Sequence, residues 1–450
     1  MAGLPADTSD DEQFHRLSAL EALRSPGVTP LLFAALTLYT GVMLQATALG
    51  KHVFDITGRE LDIGWLGLAE FLPVILLVLV TGSVADRFNR KRIAMSAVVG
   101  EATCSLLLMW YALSDPTSAF PIFVITFFFG AARAFLTPAL RPIAPMIAPD
   151  GGLTRVIAFY SATWTGAVII GPAISGFLYA VDPAFAYAAA GALMIAGMAS
   201  LARVKINIAN AQTSAVGVGA VGDGESEEDA PVQKEAITLR SALEGLAFIR
   251  RTPILLAVIS IDLFAVLFGG AVALLPVIAE ERLGVGDVAY GWLRAAGGIG
   301  AALMAIWLAI RPIYNNVARN LYLSILVFGA ATIVLGVTRS YAVAFIAVLV
   351  LNASDMISVF IRASIVPMVT PDAKRGRVSA AENVFIGASN ELGAFESGAV
   401  SSAIGTPATV VGGGIATFFV VGTWWFAFPS LRRVKHFEDL TIEESSVKND

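Results

Sequence analysis

Gly82-Ser83-Val84-Ala85-Asp86-Arg87-Phe88-Asn89-Arg90-Lys91-Arg92 decides how the chain is read. One apolar run, Phe71–Val80, ends at it, and a second, Ile93–Tyr111, begins beyond it. Four cations and one carboxylate therefore stand between two segments long enough to cross a bilayer. Small Gly82 and Ala85 let two backbones approach closely, and the cations hold the turn at a phosphate-rich interface. The cations alone fit a plain stop-transfer turn. The placed glycine and the Asp86–Arg87 pair ask for more.

Composition sets the class around this turn. With 450 residues, 56% of them hydrophobic and only 14% charged, the chain is too apolar for a soluble globule. A net charge of −5 argues against nucleic acid as a partner. The lone Cys104 lies in an apolar run, and His15, His52 and His436 are scattered, so no disulfide framework, metal site or cofactor is expected. The acidic opening Asp7–Glu12 is unlike a cleaved signal peptide, so insertion is expected to use the first apolar helix.

Apolar runs near the ~20 residues needed to span a bilayer recur along the chain. They predict helices at 28–50, 62–81, 93–113, 119–148, 156–181 and 183–203, then 253–280, 288–311, 317–337, 341–370, 378–404 and 406–429. The fold class is an all-α membrane protein of twelve spans in two six-helix bundles, 28–203 and 253–429. Segments 1–27 and 430–450 flank them. Residues 204–252 form a linker whose stretch Thr238–Arg251 has the pattern of an amphipathic helix. Gly217-Val-Gly219-Ala-Val-Gly222 formally matches a dinucleotide fingerprint, but no strand precedes it, so flexible linker is its reading. Cations crowd one side, from Arg87–Arg92 through Arg155, Arg203, Arg311, Arg319 and Lys374–Arg377 to Arg432, Arg433 and Lys435. The other side keeps Lys51, Arg59, Arg282 and Arg339. Both termini are therefore expected in the cytoplasm and the protein in the inner membrane.

An internal repeat supports the two bundles independently. Pro145-Met-Ile-Ala-Pro149-Asp150-Gly-Gly-Leu-Thr-Arg155 returns 222 residues later as Pro367-Met-Val-Thr-Pro371-Asp372-Ala-Lys-Arg-Gly-Arg377. The same offset carries Gly171 and Gly176 onto Gly393 and Gly398. One constant offset across a loop and two helices is duplication, and duplicated halves place a substrate site near midplane at their interface.

The stretch Gly82-x-x-x-Asp86-Arg87 with its basic cluster resembles the signature between helices 2 and 3 of the major facilitator superfamily. Asn89 stands where a second glycine is usual and can also take a left-handed turn. Leu44–Gly50, Asp55–Gly58, Gly64-Trp-Leu66, Phe71-Leu-Pro73, Pro138-Ala-Leu140 and Arg375–Ala380 resemble the exporter branch that holds the enterobactin exporter and macrolide efflux proteins. Gly171-Pro-Ala-Ile-Ser-Gly176 resembles the glycine-proline motif of antiporters, and kinked packing accounts for it equally well. The resemblance implies a cavity lined by helices 1, 4, 7 and 10, and a gate of Gly82, Asp86, Arg87 and Arg90 against the start of helix 11 near Arg377.

A charge inside the bilayer costs about 2.5–3.5 kcal/mol unless paired or hydrated, so such residues are the site candidates. They are Arg133 and Arg141 on helix 4, Asp262 on helix 7, Asp355 and Arg362 on helix 10, and Glu70 on helix 2. Tyr39 and Gln45 on helix 1 and Asn383 and Glu391 on helix 11 complete the pathway. Glu101 has two readings, a cavity acid or a partner of the basic loop. The 222-residue offset places Arg133 and Asp355 at equivalent positions, which predicts an ion pair across the cavity; the alternative satisfies each within its own half. Proton carriage is expected from Asp355, Asp262 or Glu70, in that order.

The function expected is secondary active export of a small amphipathic organic molecule in exchange for protons, by a monomer embedded in the lipid bilayer and working by alternating access. A lysophospholipid or other lipid flippase of the same fold, and a non-transporting sensor or scaffold, are the alternatives. No nucleophile elbow, H-E-x-x-H or credible phosphate loop suggests an enzyme.

Overall fold

The computed structural model describes residues 18–149, 151–204 and 239–440, without the side chains of 78–79, 83, 85–86, 239–243 and 373. The acidic opening, His15, the linker stretch with Gly217–Gly222, and the Asp86 side chain thus lie outside the described residues. Among the described residues twelve long helices run in chain order: α1 (Val28–Thr57), α2 (Glu60–Arg87), α3 (Arg90–Ala112), α4 (Phe120–Leu140), α5 (Leu153–Tyr179), α6 (Pro183–Arg203), α7 (Pro253–Phe268), α8 (Asp287–Ile310), α9 (Val317–Val337), α10 (Tyr341–Val369), α11 (Asp372–Ile404) and α12 (Thr406–Ala427). Short helical turns carry α7 on to Arg282, and ten of the twelve segments are long and apolar enough to cross a membrane. α11 is the least apolar because it holds Glu382, Glu391 and Glu396.

Several helices outrun their apolar stretches. α1 continues past residue 50 to Thr57, and α2 continues through the Gly82–Arg87 stretch, leaving only Phe88 and Asn89 as the turn. Hydropathy marks where lipid ends, whereas a helix stops where its backbone is capped. Gly58, left-handed at φ 59°, closes α1. Asn89 is extended (φ −62°, ψ 111°) and not left-handed: its side chain accepts the Arg92 N–H at 3.1 Å and caps α3. Lys91 donates to the Ala202 and Val204 carbonyls at 2.7 Å, fastening the turn to the end of α6. In α4 the helix expected over 119–148 breaks at Arg141-Pro142 and resumes at Ile143–Ile147. Its repeat counterpart in α10 has Ser364 where α4 has Pro142, and runs unbroken.

Each half has its own apolar core. In the first, α1 lies between α5 and α6, α2 and α3 pack on α4, and α3 also meets α6. In the second, α7 packs on α11 and α12, α8 and α9 on α10, and α9 on α12. Phe120, Phe128, Trp110, Ile310, Phe419 and Phe426 point outward, as side chains facing lipid tails do. The amphipathic helix Leu239–Arg251 lies against the start of α11, where Arg377 bonds Glu244 at 2.5 Å and Lys374 sits 4.6 Å above the Phe248 ring.

The repeated glycines join the halves in a two-fold pattern. A Cβ at Gly171 would lie 2.6 Å from Met43 Cβ on α1, and one at Gly393 would lie 2.9 Å from the Leu267 carbonyl oxygen on α7. Those two contacts stay within a half. A Cβ at Gly176 would lie 2.6 Å from the Asp287 carbonyl oxygen and 2.9 Å from Gly291 Cα on α8. One at Gly398 would lie 2.7 Å from the Glu60 carbonyl oxygen on α2. The second pair of glycines therefore sets α5 on α8 and α2 on α11, and these two seams hold the halves together at the end away from the 82–92 turn. Gly176→Leu should force that seam apart, because the atoms it meets are backbone and cannot rotate away. Distances between spin labels at the ends of α5 and α8, read by double electron–electron resonance, should lengthen. Gly82→Ala, where a Cβ meets nothing within 4 Å, should leave the same distances unchanged.

Candidate functional site

Between the halves lies a cavity of about 840 Å³, walled by α1, α4, α5 and α11 with Glu101 of α3 at its inner end. It opens at the end that carries the basic turn, between Ala144 and Pro145 on one side and Asn383 on the other. Its wall is aromatic on one side. The Tyr39 and Tyr160 hydroxyls share a 2.7 Å hydrogen bond, and Trp164 stands edge-on to Tyr39 with centroids 5.2 Å apart. Arg133, Arg141 and Thr137 supply polarity on α4, Ser161 and Thr165 on α5, and Asn383 on α11. Such a chamber fits an amphipathic guest: flat apolar walls, and few polar groups to orient it.

Arg133 does not reach Asp355. It donates to Glu70 at 2.6 Å within its own half, because α2 and α4 touch so closely that a Cβ at Gly130 would lie 2.1 Å from the Glu70 carbonyl oxygen. Arg362 likewise bonds Asp262 and, at 3.2 Å, Glu382, while Ser358 donates to the other Asp262 oxygen at 2.7 Å. This triad lies in the second half, where Arg362 and Asp262 are almost fully buried. Asp355 faces neither Arg133 nor Arg362. It lines a void of about 10 Å³ beside Asp262, Ser324, Ser354 and Ser358, room for roughly one water.

Glu391 reaches across the halves. Its carboxylate lies where a Cβ on Gly67 of α2 would be, 2.6 Å away, so it sits one helical turn from Glu70. Gln45 accepts from Ser105 at 2.5 Å and is fully buried. Glu101 is fully buried too, and neither of its oxygens has a partner; the basic loop does not reach it, since Lys91 is spent on α6. Of the expected gate residues, Gly82 has open space beside it, Arg87 is exposed, Arg90 lies 3.9 Å from the Met146 sulfur, and Arg377 is engaged by Glu244.

The far end is closed by a cluster of charges at the ends of the apolar runs, outside the set of intramembrane charges legible in the sequence. Lys51 binds Asp55 on its own helix, Glu280 at 2.8 Å and Asp287 at 3.5 Å, so one cation of the first half holds two carboxylates of the second. Tyr179 donates to Asp55 at 2.6 Å, and Tyr290 to the Thr47 carbonyl at 3.2 Å. The i, i+4 spacing of Lys51 and Asp55 is legible in sequence; their partners across the interface are not.

The chain's likenesses agree with this architecture. Its residues 31–394 match the model of the Major Facilitator Superfamily. It is 25% identical to the multidrug efflux pump Tap of Mycolicibacterium fortuitum over 84% of this chain and 90% of that protein. It is 26% identical to macrolide efflux protein A of Streptococcus pyogenes, but there the match spans 33% of this chain and only 36% of the relative's length. Among solved structures, a bacterial homologue of the human lysosomal transporter Spinster, inward-facing and unoccupied, superposes with a TM-score of 0.70 at 14% identity, over 91% of this chain and 99% of that one. A family model covering most of the chain, on a fold of two six-helix halves around a central cavity, places this multi-pass membrane protein in the Major Facilitator Superfamily of transporters.

Proposed function

We propose that the protein exports small amphipathic organic molecules from the cytoplasm in exchange for protons, by alternating access, as a monomer of the inner membrane with both termini cytoplasmic. The observation that carries this is the cavity itself: open at the basic end, closed at the other, and walled by Tyr39, Tyr160 and Trp164. On the positive-inside argument the basic end is cytoplasmic, so the chamber is poised to load from within. The similarity to Tap over most of both lengths supports outward transport of diverse compounds. The reading is tested in proteoliposomes with ethidium as probe. An imposed pH gradient should drive ethidium transport, and dissipating the gradient should stop it; transport indifferent to the gradient would remove proton coupling.

Alternation then needs two latches. At the outer end, Lys51 ties Asp55, Glu280 and Asp287 together with the glycine seams. At the inner end, Gly82, Asp86, Arg87 and Arg90 meet the start of α11 near Arg377 once the cavity closes there, filling the space now open beside Gly82. Lys51→Met should leave three carboxylates facing one another and favour the outward-open form. The partners are about a third to a half exposed, so the two pairs that cross the halves are together worth about 1 kcal/mol, roughly fivefold in population. Spin-label distances across the outer ends of α1 and α7 should report the shift.

The pair in the first half gives a second expectation. Arg133 and Glu70 are each about a quarter exposed, so removing one strands the other in a poorly hydrated site. Glu70→Gln and Arg133→Gln should each slow ethidium transport strongly, and the double variant should lose less than their effects combined. Strict additivity in a double-mutant cycle would show that the pair does not act as a unit.

A further inference from the structure

We propose that Glu101 is the proton-binding site of the transport cycle, held protonated while the cavity stands open at the basic end. The inference rests on the proton-coupled reading above and names the group that carries the proton.

The three acids singled out from sequence are each placed otherwise. Glu70 is bonded to Arg133, Asp262 to Arg362 and Ser358, and Asp355 lines a one-water void in the second half, away from the cavity. Glu101 differs from all of them. It is 0% exposed, both carboxyl oxygens lack a hydrogen-bond partner, and yet it lines the inner end of the large cavity. An ionised carboxylate in that position would have neither water nor a donor, whereas the protonated acid is neutral and tolerates it.

A donor is ready close by. The Ser105 hydroxyl, one turn along α3, lies 2.5 Å from Gln45 Oε1 and 3.1 Å from the Glu101 carbonyl oxygen, the two sharing its one proton, so the Gln45 amide is held beside the same turn. Its Nε2 is likewise buried without a partner. An orphan amide donor and an orphan acid thus lie at one turn of α3 without being bonded to each other. The charged and titratable groups acting on Glu101 are Arg133 from α4 and Glu70 from α2, with Tyr39 of α1 and Cys104 of α3 itself also within electrostatic reach. From α6, Gly191 packs against Ser105 and the Met194 sulfur lies 3.3 Å from its hydroxyl, neither of them titratable.

Release follows from the same geometry. When a shift of the cavity wall admits water to Glu101 and the O–H gives up its proton there, the new carboxylate competes with Glu70 for the Arg133 guanidinium and accepts from the Gln45 amide. Arg133 then shifts toward Glu101, and Glu70, a quarter exposed, is left to solvent. One proton leaves and one ion pair is exchanged for another, and the negative charge that remains falls on Glu70, the more hydrated of the two carboxylates. Arg133 stands on α4 in the cavity wall, so the exchange moves the wall that faces the guest.

The test reads the proton directly and needs no known substrate. Infrared pH-difference spectra of the full chain in lipid should show the carbonyl stretch of a buried carboxylic acid that disappears as pH rises. That band should be absent in Glu101→Gln, shifted but present in Glu101→Asp, and retained in Glu70→Gln and Glu391→Gln. Thermal unfolding of each variant in lipid checks that it is folded; the conservative Asp variant keeps the test open if Gln fails to fold. In proteoliposomes, Glu101→Gln should abolish gradient-driven ethidium transport while leaving ethidium exchange at zero gradient. A band that persists in Glu101→Gln, or full gradient-driven transport by that variant, overturns the proposal. If the wild-type protein ignores the gradient, proton-coupled export falls, and the infrared band alone then decides whether Glu101 binds the proton.

Discussion

Backbone contact at two glycine seams is the constraint on which the rest of the structure depends. Side chains hold most packed helices 8–10 Å apart. Where Gly176 meets Gly291 and Gly398 meets Gly64, no side chain intervenes, and α5 rests on α8 as α2 rests on α11. In a membrane this matters more than in water, because lipid tails offer no hydrophobic drive toward helix association; close packing must supply it. Both seams lie at one end of the molecule, so the halves touch there and part at the other end. The cavity is what remains between them.

Charge is placed consistently with that geometry. The closed end gathers Lys51, Asp55, Glu280 and Asp287, drawn from both halves, and the attraction of Lys51 for Glu280 and Asp287 exists only while the seams are shut. Inside the second half, Asp262, Arg362, Ser358 and Glu382 satisfy one another and stay away from the large cavity. The first half is different. Arg133 has one bonded carboxylate, Glu70, while Glu101 is left unpaired beside the cavity. The repeat is therefore symmetric in its glycines and asymmetric in its charges: the second half pairs Arg362 with two carboxylates, and the first leaves Glu101 without a partner beside the cavity.

Much of the fold was legible in the residues. Apolar runs marked the spans, and the 222-residue offset marked two equivalent halves, with Gly171 and Gly393 serving the same contact within each. Boundaries were less legible. α1 and α2 outlast their apolar stretches, and Asn89 caps a helix with its side chain rather than taking a left-handed turn. Pro142 breaks α4 where Ser364 lets α10 continue, a difference the repeat conceals because the prolines it does share, Pro145 and Pro367, lie three residues further on. At the site, the list of intramembrane charges was obtainable from sequence, but the pairing was not. The Arg133–Asp355 bond expected from equivalence gave way to Arg133–Glu70, since α2 and α4 are in backbone contact whereas α10 contributes nothing to the cavity wall that carries Arg133.

By itself, then, the sequence determined an all-helical membrane protein of two duplicated halves, the sidedness of its cations, and the charges it must shelter from lipid. Those properties are additive along the chain: transfer of residues into hydrocarbon, helical period and repeat spacing need no knowledge of neighbours. The tertiary structure alone decided which end is closed, that Lys51 bridges the halves, which carboxylate holds Arg133, and that Glu101 is left without a partner. Each of those depends on distances between helices far apart in sequence, and in a low-dielectric interior a few ångströms separate an ion pair from an orphaned acid.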